Sequence, residues 1–263
     1  MKKQLLSNSP SEVLVIYFIL LMIIGSCAGS FCHAMALRFS FPPRYKKKHR
    51  SACDACGRTL APYEVIPIVS YLSLKGHCRT CHHKISPSLL LVELGTALLY
   101  LGVFLCPTLL TYKLLILFIL HLLLIATISD IYFMIIPNRL LIIFFFLSIL
   151  LIPWLPPLSI SERLIGLMLG LVLPALILAL TKGGLGAGDV KLFMLLGWLL
   201  GGRSLLHLMI FACATGLLGF LFLSLFRKTE RPSLLPFAPF IFAGYLLEEC
   251  WQLMLSTEFP FFR

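Results

Sequence analysis

Long apolar runs separated by short polar breaks fill most of this chain. The runs exceed the length that a soluble helix needs, and polar residues do not recur along them at the period of an amphipathic surface helix. Their breaks predict eight spans, near residues 13–35, 88–106, 113–129, 140–155, 164–180, 190–200, 205–226 and 235–254. The 190–200 run is short, so it either extends upstream or inserts only partly. The runs are also far longer than the roughly 10-residue alternating segments of a membrane β-barrel.

Composition agrees with a bilayer setting. Of 263 residues, 59% are hydrophobic and 13% charged, with a mean hydropathy of +0.98. A soluble globule of this size has no use for so much apolar surface, whereas lipid does. The expected fold is an all-α polytopic membrane protein of about eight transmembrane helices. Three regions are expected: a first span in 1–35, a basic cysteine-rich loop in 36–87 and a multi-span region in 88–263.

Charge sets the expected orientation. The net charge is +11, and ten of the 22 Lys and Arg residues lie between Arg38 and Lys84, offset there only by Asp54 and Glu64. Beside membrane spans such a stretch follows the positive-inside rule, and it is read that way rather than as a nucleic-acid surface. With the 36–87 loop inside, strict alternation puts 16 of the 22 basic residues inside and 6 outside. Asp130 and Asp189 then share the cytoplasmic edge. Met1-Lys2-Lys3 and Ile24-Gly25-Ser26-Cys27 imitate a signal peptide and a lipoprotein box. Cleavage there would leave the basic loop outside, so the run is read as a span.

Within the loop, Cys53-Asp54-Ala55-Cys56 and Cys78-Arg79-Thr80-Cys81 form two C-x-x-C knuckles with 21 residues between them. Four thiolates suit tetrahedral zinc and leave no ligand position open, so a structural Zn²⁺ held by Cys53, Cys56, Cys78 and Cys81 is expected. A reducing compartment favours metal over disulfides. A loop of this size has little core, so metal binding would help to fold it. Cys27, Cys32, Cys106, Cys213 and Cys250 read as packing residues.

Asp130 closes the third predicted span, ahead of Pro137-Asn138, which ends one helix before the next begins. Asp189 follows Gly183, Gly184, Gly186 and Gly188, a loop that lets backbone come close to a neighbour. Each aspartate also has a plain structural reading, as a headgroup-level charge for Asp130 and as an N-cap for Asp189. An ionisable group at membrane depth nevertheless marks function by default. Two carboxylates that meet can share one proton and activate water, which is the chemistry of peptide hydrolysis without a covalent intermediate. Glu93, about one turn inside the second span, reads equally as a third polar group of that site or as a partner for a loop Arg or Lys. Glu248 and Glu249 read as interfacial. No G-x-S-x-G elbow or H-E-x-x-H pair is present.

The chain resembles the prepilin peptidases, or type IV leader peptidases, which are G-x-G-D membrane aspartic peptidases. The likeness runs through Gly29-Ser30-Phe31, the paired C-x-x-C motifs, Ile66-Pro67-Ile68-Val69-Ser70-Tyr71 and Ile85-Ser86-Pro87 with Val92-Glu93-Leu94. It continues through Asp130 with Ile136-Pro137-Asn138, Gly186-Ala187-Gly188-Asp189-Val190-Lys191, and Leu235-Pro236-Phe237-Ala238-Pro239-Phe240. The resemblance implies that Asp130 and Asp189 are catalytic, supported by Gly186, Gly188, Lys191 and Glu93, within a peptidase region 88–263. It implies prepilin or pseudopilin precursors as partners, cut after a glycine between a basic leader and an apolar helix, at the bacterial inner membrane. It also implies that the new amino terminus is methylated from S-adenosylmethionine, with Glu93 and Gly95 as candidate cofactor residues and the 36–87 loop as an associated region. One departure is His33, where the family reads Asn.

Two other classes compete. One is a proton- or cation-coupled transporter using intramembrane carboxylates, which lacks a visible inverted repeat. The other is a non-catalytic membrane scaffold with a zinc ribbon.

Overall fold

The computed structural model describes residues 10–40, 51–53, 55–181, 184–226 and 235–258. The basic residues from Arg44 to Arg50, together with Lys2, Lys3, Asp54, Lys182, Gly183, Arg227, Lys228, Arg231 and Arg263, lie outside the described residues. The chain divides into two compact units, Met1–Lys113 and Leu114–Arg263.

In the first unit, α1 (Pro10–Ser40) packs against α3 (Pro87–Leu105). Two glycines one turn apart on α1 bring the backbones together. A Cβ on Gly25 would sit 2.8 Å from Ala97 Cα, and one on Gly29 would sit 2.0 Å from Thr96 Oγ1. Between these helices lie the cysteine knuckles, a 3₁₀ turn at Pro62–Val65 and the short α2 (Val69–Ser73).

The second unit contains α4 (Leu110–Phe133, begun in the first unit), α5 (Asn138–Leu151), α6 (Ile160–Leu180), α7 (Ala187–Phe226) and α8 (Ala238–Glu258). Helix α6 packs on α7, and α7 also meets α5 and α8. Helix α6 starts with a reciprocal cap. Glu162 N–H donates to Ser159 Oγ at 3.2 Å, and Ser159 N–H donates to Glu162 Oε2 at 3.0 Å. The α6–α7 contact again runs through glycine. A Cβ on Gly166 would lie 2.1 Å from Gly197 O, and one on Gly170 would lie 2.3 Å from Phe193 O. Small residues at this spacing are what lets membrane helices touch, since lipid supplies no hydrophobic drive between them.

Among the described residues, five helices are long and apolar enough to cross a membrane: α1, α3, α4, α6 and α7. Their outer faces carry exposed Leu98, Ile165, Met168, Val172, Ile210 and Phe222. Apolar side chains around the whole helix suit lipid rather than water. The chain is therefore an all-α membrane protein, as its sequence pattern predicts.

The 190–200 and 205–226 runs are two helical segments, as expected, numbered together as α7 and parted at Gly201, whose φ of 77° and ψ of 174° are outside helical space. Several details differ from the sequence reading. Helix α7 starts upstream at Ala187, which places Asp189 inside its first turn. Helix α4 continues to Phe133, so Asp130 lies nearly a turn before its end rather than closing it. Glu248 is buried among the helices. It is 1% exposed, accepts from Gln252 Nε2 at 2.8 Å and faces His207 Nδ1 at 3.5 Å. Of the five cysteines in spans, Cys32 is buried, whereas Cys27, Cys213 and Cys250 face outward.

The glycine contact yields a test of the packing. Gly166→Leu should lower the melting temperature of the purified protein by several degrees, consistent with about 1–3 kcal/mol for forcing atoms into a packed interface. Gly95→Leu should change it little, because a Cβ on Gly95 meets nothing within 4 Å.

Candidate active site and cysteine cluster

The sequence around Asp130 ends its helix abruptly. Met134 N–H donates to Asp130 O at 2.8 Å, and Met134 adopts a left-handed φ of 52°. A non-glycine residue enters that region at a cost, so the turn is held in place by its surroundings. Ser129 Oγ reaches forward to donate to Ile135 O. Pro137 then forbids continuation and serves as the N-cap of α5. The Met134–Pro137 segment is thus folded back beside the end of α4.

Asp189 is the third residue of α7, so the plain N-cap reading does not describe it. Its Oδ2 accepts from Gly186 N–H at 3.2 Å, while Asp189 N–H donates to Gly186 O at 3.0 Å. This is the returning half of a capping box, with the carboxylate folded over the helix start. Gly186 is needed there: a Cβ would lie 2.8 Å from Asp189 Oδ2.

The two aspartate segments meet. A Cβ on Gly188 would lie 3.0 Å from Ile136 Cβ, so glycine lets α7 press on the turn after Asp130. Lys191 Nζ donates to Asn138 Oδ1 at 2.9 Å, joining the same two segments from the exposed side. Asp130 and Asp189 are each 7% exposed and lie close enough to act on one another electrostatically. A third segment completes the site. Ala238 N–H, at the start of α8, donates to Asp130 Oδ2 at 2.9 Å. Asp189 Oδ1 is buried and has no hydrogen-bond partner within the chain. Gly186, Gly188 and Lys191 therefore all lie beside the aspartates. Sequence reasoning assigned no role to Ala238. Its only signal was the Pro236-Phe237-Ala238-Pro239 string at a helix start.

Glu93 belongs to the first unit. It is 3% exposed, and its Oε2 accepts from Ile68 N–H at 2.7 Å. Ile68 is the N-cap of α2 and carries a φ of 61°. Glu93 thus holds a strained turn through its backbone, and the loop Arg or Lys expected as its partner is replaced by a peptide N–H. Gly95, two residues on, borders open space.

The four cysteines converge as expected. Their Sγ atoms all lie within 4.8 Å of one another, and Cys53 Sγ and Cys81 Sγ are 3.7 Å apart. Four thiolates at about 2.3 Å from one ion stand roughly 3.8 Å apart, so this cluster fits a tetrahedral metal. The two knuckles repeat one design. Cys53 N–H bonds to Arg58 O and Gly57 N–H to Cys53 O; Cys78 N–H bonds to His83 O and His82 N–H to Cys78 O. The residue after each knuckle has positive φ, 68° at Gly57 and 53° at His82. The turns aim backbone N–H groups at sulfur. Those of Cys81 and Thr80 pull the Cys78 thiol down to about 6, and those of Cys56 and Ala55 lower the Cys53 thiol. Thiolate, the form that binds metal, is favoured at Cys78 and Cys53, whereas burial and the neighbouring sulfurs push the Cys81 thiol up to about 11. Nearby, Glu64 anchors the loop by accepting from Arg58 Nη2 and Ala61 N–H, both at 2.8 Å.

Comparison with known proteins places these features together. Residues 23–106 match the bacterial peptidase A24 N-terminal domain, and residues 115–221 match the type IV leader peptidase family. A protein of Bacillus subtilis named prepilin leader peptidase/N-methyltransferase is 37% identical over 238 residues, covering 87% of this chain and 92% of the relative. Proteins of the same name from Vibrio cholerae and Pectobacterium carotovorum are 28% and 32% identical. They cover 71% and 74% of this chain, and 78% and 71% of their own lengths. No solved structure matches the chain. With two buried carboxylates on segments that pack together at helix ends, a four-cysteine cluster, and similarity along most of its length, the chain belongs to the type IV leader peptidase family.

Proposed function

We propose that this chain removes the basic leader from prepilin or pseudopilin precursors at the bacterial inner membrane, using Asp130 and Asp189 as a water-activating pair. The observation that carries the proposal is that the segments bearing two buried carboxylates pack together at the ends of α4, α7 and α8, near enough for the carboxylates to feel one another's charge. The names of the relatives supply the substrate class and the methylation that follows.

One carboxylate is ionised and the other neutral, since two adjacent charges at membrane depth repel. The ionised group takes a proton from water, and the resulting hydroxide attacks the carbonyl carbon of the leader's terminal glycine. The neutral carboxyl donates its hydrogen to the carbonyl oxygen. The tetrahedral adduct then collapses: the C–N bond breaks, the proton taken from water passes to the departing amine, and the carboxyl regains its own proton. No covalent enzyme intermediate forms. Loop charge places the site at the cytoplasmic edge. A precursor whose leader stays in the cytoplasm and whose helix lies in the bilayer presents its cleavage point at that depth. The lipid bilayer is the second partner, and nucleic acid has no place in the reaction.

Zinc is the proposed metal, held by Cys53, Cys56, Cys78 and Cys81. A closed four-thiolate set supplies folding energy rather than a reactive water. Methyl transfer from S-adenosylmethionine rests on the relatives' names. Glu93 already accepts from Ile68 and Gly95 borders open space, so no methyl-transfer step is derived from them.

A purified enzyme incubated with a pilin-like precursor and S-adenosylmethionine should release the leader and add one methyl to the product, both read by mass spectrometry. Asp130→Asn and Asp189→Asn should each lower cleavage by at least about a thousandfold while staying in the membrane; normal processing by either would defeat the assignment. Gly186→Ala should reduce kcat by roughly tenfold or more with little change in melting temperature, because its Cβ displaces the Asp189 carboxylate. Metal analysis of the purified chain should find about one zinc per molecule. Cys56→Ser should lose it and make residues 51–84 protease-sensitive, and metal-free wild-type protein with a resistant loop would remove the zinc proposal.

A further inference from the structure

The Pro236-Phe237-Ala238-Pro239 string has no part in the water chemistry, yet it touches both aspartate helices. Ala238 is fully buried, and α4 holds it from both sides of its residue. Its N–H donates to Asp130 Oδ2 at 2.9 Å, and its carbonyl accepts from Thr127 Oγ1 at 3.3 Å. Thr127 and Asp130 stand three residues apart on one face of α4. The neighbouring Phe237 ring lies 6.3 Å from Phe193, one turn beyond Asp189 on α7, tilted at 48°. Two adjacent residues of one segment therefore contact the helix of each aspartate.

The behaviour of Thr127 is unusual for its place. A threonine inside a helix ordinarily returns its hydroxyl to a carbonyl three or four residues earlier. Thr96 and Thr215 do this here, with bonds to Val92 O and Phe211 O, and Thr215 reaches Phe240 O on α8 at 3.1 Å as well. The Thr127 hydroxyl instead donates to a carbonyl 111 positions away. Val would fill the same space in the helix, so the hydroxyl contributes a specific direction and not volume.

We propose that Thr127 is a positioning residue, which fixes the Ala238 peptide so that its N–H orients the Asp130 carboxylate toward Asp189. The proposal rests on the aspartate-pair reading above. Thr127 does not touch the reacting atoms. Without its hydroxyl the Ala238 residue is gripped from one side only, and Asp130 follows whatever orientation the start of α8 adopts. Misplacement of a reacting group by a fraction of an ångström slows chemistry without altering how remote parts of the substrate bind.

The test compares Thr127→Val, Thr127→Ser, Ala238→Pro and Asp130→Asn in the full chain with a pilin-like precursor, measuring kcat, KM and melting temperature. Thr127→Val should lower kcat roughly tenfold with KM unchanged, and Thr127→Ser, which keeps the hydroxyl, should restore most of it. Ala238→Pro deletes the N–H at the first helical position, where proline is well accommodated, and should lower kcat at least as far. Wild-type kcat in Thr127→Val, or a Ser variant as slow as the Val variant, overturns the positioning role while an inactive Asp130→Asn leaves the aspartate pair standing. Full activity in Asp130→Asn overturns the pair itself. Should Thr127→Val fail to fold, Ala238→Pro decides: a folded protein with unchanged kcat rejects the proposal.

Discussion

An apolar helix offers a buried charge almost nothing except the N–H groups left unpaired at its own start. That constraint organises the polar parts of this protein. Asp130 takes the N–H of Ala238 at the beginning of α8, and Asp189 takes the N–H of Gly186 just before α7. In the other unit Glu93 takes the N–H of Ile68 at the beginning of α2, and Glu64 takes the N–H of Ala61 before a 3₁₀ turn. A helix start also carries partial positive charge, which favours a carboxylate placed there. These four acids therefore sit where helices begin, whereas buried Glu248, inside α8, relies on Gln252 and His207 instead; a site that needs two acids at helix starts is built where several helix ends meet.

The second requirement is close approach, and glycine supplies it. Gly25 and Gly29 seat α1 on α3, while Gly166 and Gly170 seat α6 on α7. At the site the same device is used for chemistry. Gly186 leaves room for the Asp189 carboxylate to fold back, and Gly188 lets α7 reach the turn at Ile136. The G-x-G-D pattern is thus two steric permissions followed by the group they serve. The cysteine cluster follows a related logic outside the apolar helices, where two short turns point backbone N–H groups at sulfur and keep thiolates ready for a metal.

Much of this was legible in the sequence because it is local. Apolar runs located the helices, Pro137 located the end of a turn, and the C-x-x-C spacing located a four-sulfur cluster. The Gly-x-Gly-Asp string placed Asp189 beside a tight loop. What stayed hidden depends on partners distant in the chain. Ala238 bears no charge and lies 108 residues from Asp130, so nothing in its own neighbourhood marks it as a donor to that carboxylate. Thr127 reads as an ordinary helical threonine. Glu248 reads as interfacial because its partner His207 is on another helix. The glycines at 25, 29, 166 and 170 do carry a signal, the small residue repeated every fourth position, which shows which helix faces touch but not which neighbour each one meets.

Direct attack by water held between Asp130 and Asp189 is the central claim, and isotope labelling in a single turnover tests it most directly. Enzyme in excess over a pilin-like precursor, in ¹⁸O-labelled water, should yield a leader whose terminal glycine carboxylate carries the label from the first turnover. An unlabelled leader in that turnover, with the label found on an enzyme carboxylate, would show attack by the protein itself and contradict the account.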